Sequence, residues 1–246
     1  MTPITPRGIE INPDAALPFE AARTARHLLR TARTACLGTL DPAGYPYTTV
    51  TNLVCEPTGV PFFFAAGLTV HARNIEADNR ISLTVAEASG DVMTTARLTL
   101  SGRAIRVGPE ETDALKTRYH ATFPKSKLYL SLPDTRLYRM EAEAIQMNGG
   151  PGRNANGVTP ELLLTDINGA AGLMDNLAKA IAHLNEGDRP QRLASLAGSG
   201  TGRWRAVSLD PDGIDLATAT KAERYWFAER VTSLDGLMNA VLRVPR

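Results

Sequence analysis

Residues 62–74 read Phe62-Phe63-Phe64-Ala65-Ala66-Gly67-Leu68-Thr69-Val70-His71-Ala72-Arg73-Asn74. The aromatic run, inside an apolar block at 60–66, has the composition of a core strand. Gly67 breaks it, Thr69 is a residue type that caps helices by accepting an amide hydrogen, and a short helix is expected over 70–77. The amino end of such a helix presents unpaired N–H groups and the positive end of its dipole, and Arg73 adds a guanidinium fork matched to phosphate oxygens. The same residues equally describe a capped surface helix with a solvated Arg73, and taken alone they leave both readings open.

Upstream, apolar residues recur at Phe19, Ala22, Ala25, Leu29 and Ala32, a spacing that predicts an amphipathic helix over 19–34. Its other face carries Arg23, Arg26, Arg30 and Arg33, read as a solvated basic stripe. The turn Asp41-Pro42-Ala43-Gly44 joins strand-like runs at 35–40 and 45–55 into a hairpin. Downstream, strands are expected at 81–86, 97–107 and 135–147, with a helix opened by Gly108-Pro109-Glu110-Glu111. Six strands with little helix between most of them predict an antiparallel barrel, not a parallel α/β sheet. After a Gly- and Pro-rich junction come two helices (172–185, 188–197), three short strands (203–209, 213–216, 222–227) and a helix (233–242). The expected organisation is an N-terminal arm (1–18), a split-barrel domain (19–153), a linker (154–170) and a small C-terminal α+β appendage (171–246). Trp204 and Trp226 are expected as core anchors of the appendage.

Composition narrows the function. A net charge of +1 gives no global field toward nucleic acid or an anionic membrane. The block at 60–66 is far shorter than the roughly 20 residues of a membrane helix, and 1–18 has no apolar stretch of signal-peptide type. Cys36 and Cys55 lie in apolar runs and are expected as buried thiols in a cytoplasmic protein. His27, His71, His120 and His183 lack the spacing of a metal site, so no metal ligands are assigned. The run Gly198-Ser199-Gly200-Thr201-Gly202 fails as a dinucleotide fingerprint because Arg203 and a strand follow it. There is no Gly-x-Ser-x-Gly elbow.

The strand, turn and His-x-Arg-Asn, then Asn79-Arg80-Ile81-Ser82-Leu83 and Ala96-Arg97-Leu98-Thr99-Leu100-Ser101-Gly102-Arg103-Ala104, resemble the FMN-binding half of pyridoxamine-phosphate-oxidase-like split barrels. Carried over by position, the resemblance implies that Thr49, Val50, Thr51 and Asn52 line the flavin ring and ribityl chain. Phe64 and Ala65 would lie near the phosphate, His71, Arg73 and Asn74 would bind it, and Arg97 would approach from the same side. Phe123-Pro124-Lys125-Ser126-Lys127-Leu128-Tyr129, Leu137-Tyr138-Arg139-Met140-Glu141 and Asn148-Gly149-Gly150-Pro151-Gly152-Arg153 are similar to the haem-utilisation branch. So are Ile181-Ala182-His183-Leu184-Asn185-Glu186 and Asp210-Pro211-Asp212-Gly213-Ile214-Asp215-Leu216. The resemblance covers about 21–242.

It implies a homodimer holding FMN in an intersubunit groove, with flavin-dependent oxidoreductase chemistry on a small-molecule redox substrate and no catalytic residue assigned. The alternative is a haem-binding or haem-degrading protein using the same groove, and a third reading is a non-catalytic flavin or ligand binder. The chain departs from the branch pattern at Pro151, where Phe is usual, and at Asn185-Glu186-Gly187-Asp188, which lacks a histidine. No histidine follows His183, so a haem ligand from the C-terminal tail is not expected.

Overall fold

The computed structural model describes residues 19–87, 91–151, 153, 155 and 157–242. In chain order the elements are α1 (Ala21–Thr31), β1 (Thr34–Leu40), β2 (Pro46–Asn52), β3 (Val54–Cys55), β4 (Pro61–Ala66), α2 (Val70–Ala77), β5 (Arg80–Ala86), β6 (Arg97–Arg106), α3 (Pro109–Thr122), α4 (Lys127–Leu130) and β7 (Thr135–Asn148). There follow α5 (Ala171–Met174), α6 (Leu177–Leu184), α7 (Arg189–Leu196), β8 (Arg205–Asp210), β9 (Gly213–Ala217), β10 (Ala222–Trp226) and α8 (Leu234–Leu242). Contacts cluster into two units. One joins the described residues up to Lys116 with Lys125–Leu164; the other joins Thr117–Pro124 with the described residues from Thr165 onward.

The first unit is built on an antiparallel sheet in the order β2-β1-β5-β6-β7-β4-β3. Seven strands stand where six were expected, because the run 45–55 breaks at Leu53. That residue is buried, and its amide donates to the Arg33 carbonyl instead of to a neighbouring strand. The break moves the chain from β2, at one end of the strand order, to β3 at the other, so the sheet is curled as the expected barrel requires. The hairpin turn forms as read: Asp41 accepts amide hydrogens from Ala43, Gly44 and Tyr45, and Gly44 takes φ 85°.

Alternation sets the two faces of the sheet. Ala35, Leu37, Leu83, Leu98, Leu100 and Ile145 point inward to one core, joined by Leu28 and Leu29 of α1 and Ala72 and Ile75 of α2. Cys36 lies on the other face and is exposed, so its thiol is not buried as expected; Cys55 is buried. Small apolar residues look alike in sequence whichever face of the pleat they occupy. Arg30 also corrects the reading of a solvated stripe. It is 8% exposed, and its guanidinium donates to the carbonyls of Glu56 and Pro57 at 2.8 Å each, holding the turn that leads to β4. In the segment expected as a linker, Pro160–Leu163 forms a 3-10 turn whose Leu163 joins the same core.

The second unit contains the expected three-stranded sheet, in the order β10-β9-β8, with its own core of Leu173, Leu184, Leu193, Leu209, Ile214 and Leu237. Trp204 is a core anchor, whereas Trp226 is half-buried and supports the Arg224 guanidinium 4.3 Å from its ring centre. Arg224, 1% exposed, donates to both carboxylate oxygens of Asp210 at 2.7 Å and also to Asp215. Among the described residues, no helix of the chain is long and apolar enough to cross a membrane.

Candidate functional site

β4 is buried along most of its length and ends at Ala66, where the Thr69 amide closes a turn onto the Ala66 carbonyl at 3.0 Å. Thr69 caps α2, accepting the Ala72 amide hydrogen while its own hydroxyl donates to Ala66 at 2.7 Å. The helix buries Ala72, Asn74 and Ile75 and leaves Val70 and Arg73 outside. Its first-turn amides have no intrahelical carbonyl to bind, and Arg73, the fourth residue of the helix, is exposed, its guanidinium without a hydrogen bond or ion pair among the described residues. His71 is half-buried, with Nε2 3.3 Å from Thr69 Oγ1. Burial holds its imidazole below the usual pKa, so the neutral ring prevails near pH 7.

α2 packs across β1, β2 and β4, and His71 and Arg73 follow Phe64 and Ala65 closely in the chain. Phe64 is half-buried, and Ala65 is 2% exposed within the core. Asn74 turns inward, and its Nδ2 donates to Thr39 Oγ1 of β1 at 3.0 Å. The remaining expected residues lie elsewhere. Thr49 and Thr51 pair with the inward Leu37 and Ala35, whereas Val50 and Asn52 pair with the outward Cys36 and Thr34. Arg97 lies on the outward side of β6, three strand spacings or about 14 Å along the sheet from β2. Its guanidinium donates to the Val92 carbonyl at 2.6 Å.

The outward face carries a feature absent from the sequence reading. Thr48, Gly38, Ser82 and Ser101 stand side by side on β2, β1, β5 and β6 and form the floor of a hollow of about 390 Å³. Its wall includes Arg80, which is paired with Asp78 and draws that carboxyl down to about 2, and Glu143, which is paired with Arg103 at 2.7 Å. A β-bulge between Ser101 and Gly102 brings the Gly102 backbone so close to the Glu141 carbonyl that no Cβ fits there. The only trace in the sequence is the small residue alternating with leucine in Leu37-Gly38, Ser82-Leu83 and Leu100-Ser101. The two faces therefore offer different things: an anion-attracting helix end with one neutral imidazole on one, and a shallow bed of small side chains on the other.

The family model described as CREG, beta-barrel matches residues 17–163. A crystal structure of an Agrobacterium tumefaciens protein of unknown function is 54% identical, with a TM-score of 0.86 over 95% of this chain and 98% of that one. A haem-binding protein from Mycobacterium smegmatis is 26% identical, with a TM-score of 0.55 over 93% of this chain and 97% of its own. The chloroplastic non-canonical haem oxygenase HOZ of Arabidopsis thaliana is 28% identical over 107 residues, which is 44% of this chain. The chain spans 33% of the length of that curated relative.

Proposed function

The chain belongs to the CREG β-barrel family, and we propose that it binds haem through the first unit, with α2 as the anchoring element. The observation that supports this best is the likeness to a haem-binding protein along almost the full length of both chains.

The residues present fit the group. A porphyrin brings four nitrogen donors of its own, so one protein donor suffices, and the neutral imidazole of His71 is the form that binds iron. Arg73, on the same turn and exposed, would pair with a propionate carboxylate. Bound haem would supply an iron centre for oxygen or electron chemistry; the chain supplies the anchor, the charge and the shape.

A second reading is favoured by one observation. The capped amino end of α2 with an unpartnered Arg73 suits the phosphate monoester of FMN, which would make the protein a flavin-dependent oxidoreductase or a flavin binder. Both readings include a homodimer. Tyr45 at 72% and Val50 at 66% exposure lie on or beside the end strand β2, apolar surface of the kind a second copy would cover.

Titrating the purified chain with haemin and with FMN separates the readings. The haem reading expects a saturable shift of the haemin Soret band, a different bound-state band in His71→Ala, and affinity reduced by about 1.5–3 kcal/mol in Arg73→Ala. Flavin absorbance that survives desalting, with the haemin Soret band unmoved by the protein, would reverse the order.

A further inference from the structure

Glu76 lies in the last turn of α2, and two β7 side chains converge on it. The Tyr138 hydroxyl donates to Glu76 Oε1 at 2.7 Å, and Arg136 Nη1 stands 3.0 Å from the same oxygen. Arg136 also reaches the other end of the helix. Its guanidinium lies over Gly67, in the turn that feeds α2, so closely that a Cβ there would stand 3.1–3.2 Å from three of its atoms. The Gly67 amide is itself tied to the Asp134 carbonyl at 2.9 Å. Tyr138 is 1% exposed, and its ring stacks on Phe63 with centroids 5.7 Å apart, so the tyrosine that holds the outer Glu76 carboxylate is itself rooted in the core.

We infer that Arg136, Glu76 and Tyr138 form a positioning clamp that fixes the direction of α2, so that His71 and Arg73 meet their ligand in one orientation. These three are positioning residues rather than ligand contacts. The lever is long enough to matter: Glu76 and Val70 are six residues or about 9 Å apart along the helix, and a tilt of about ten degrees shifts the far end by about 1.5 Å. A displacement of that size loosens a preorganised site without unfolding anything. Gly67 follows from the same geometry, since a Cβ there would press on the guanidinium and require it to give by a few tenths of an ångström.

The inference rests on the haem reading, and the test separates the two. Haemin is titrated into the full chain and into Glu76→Gln, Tyr138→Phe, Arg136→Met, Arg136→Lys and Gly67→Ala, recording affinity, Soret position and thermal midpoint. A haemin spectrum that the wild-type chain leaves identical to that of free haemin overturns the haem reading. If wild type binds, the clamp expects Glu76→Gln and Tyr138→Phe to bind about tenfold more weakly with a displaced Soret band, and Arg136→Lys to recover part of what Arg136→Met loses. A purely structural role would lower the thermal midpoint and leave the band of the bound form unchanged. Wild-type affinity and band in the folded variants overturn the clamp. Should the polar substitutions fail to fold, Gly67→Ala decides alone: it removes no buried group, and an unchanged band and affinity would overturn the inference.

Discussion

Replacing Arg224 with methionine should destabilise the second unit severely. Arg224 comes from β10, and the carboxylates it pairs with come from β8 and β9, so one guanidinium ties all three strands together. Asp210 is fully buried and Asp215 is 8% exposed. Without Arg224, two carboxylates held away from water lose the guanidinium that joins them, and removing one partner from such a buried arrangement costs about 3–5 kcal/mol. That is a large share of the roughly 5–15 kcal/mol that holds a domain together. With a urea slope of about 2 kcal/mol per molar, the unfolding midpoint should fall by about 2 M. Tryptophan fluorescence is the appropriate probe, because both tryptophans of the chain, Trp204 and Trp226, lie in this unit. Adding Asp210→Asn and Asp215→Asn to Arg224→Met removes the buried negative charge and should restore more than half of the loss. A midpoint unmoved by Arg224→Met would refute the reasoning.

Burial, and then the bond to Glu76, push the Tyr138 hydroxyl up to about 12. In the unfolded chain it ionises near 10, so the folded state retains a proton that the unfolded state has lost between those values. Stability from this group is therefore present below pH 10 and is lost as pH rises from 10 to about 12, by about 2–3 kcal/mol; Tyr138→Phe should lack this component in pH-dependent urea melts. In thiol labelling of the native chain, Cys36 should react and Cys55 should not, both reacting in urea; a native chain that resists at every protein concentration would contradict the outward placement of Cys36. Arg30→Met should cost about 1.5–3 kcal/mol by stripping donors from the Glu56 and Pro57 carbonyls, a loss visible in the thermal midpoint of the first unit followed by far-ultraviolet circular dichroism.

What the sequence disclosed was local. The strand at 60–66, the Thr69 cap and the Asp41 to Gly44 turn are each written within a few residues, and the structure forms them as read. The break at Leu53 was not legible, because no glycine or proline marks it and a leucine inside a β-rich run looks like more strand. Arg30 was misread because its carbonyl partners lie 26 and 27 residues away. The hollow on the outward face needs a register among four strands, and the contact of Glu76 with Tyr138 spans 62 residues. Such juxtapositions depend on long-range pairing, which periodicity does not encode. The candidate site was legible to the same degree: the amino end of α2 could be located, but not which side of the sheet Val50, Asn52 and Arg97 would occupy.

The strand order also governs how this chain must assemble as it leaves the ribosome. In the sheet β4 pairs with β3 and β7 alone, and β7 begins only at Thr135, so until then the nascent chain holds two hydrogen-bonded pieces joined only by side-chain packing and α2: β2-β1-β5-β6, and the small β3-β4 hairpin with its row of phenylalanines. For some seventy residues of translation, at roughly 5–20 residues per second, Phe62 and Phe63 wait without the neighbour that will bury them. Any slowing of synthesis between β4 and β7 lengthens that exposure, so yield in a cell should respond to codon choice in this interval more than in the rest of the message.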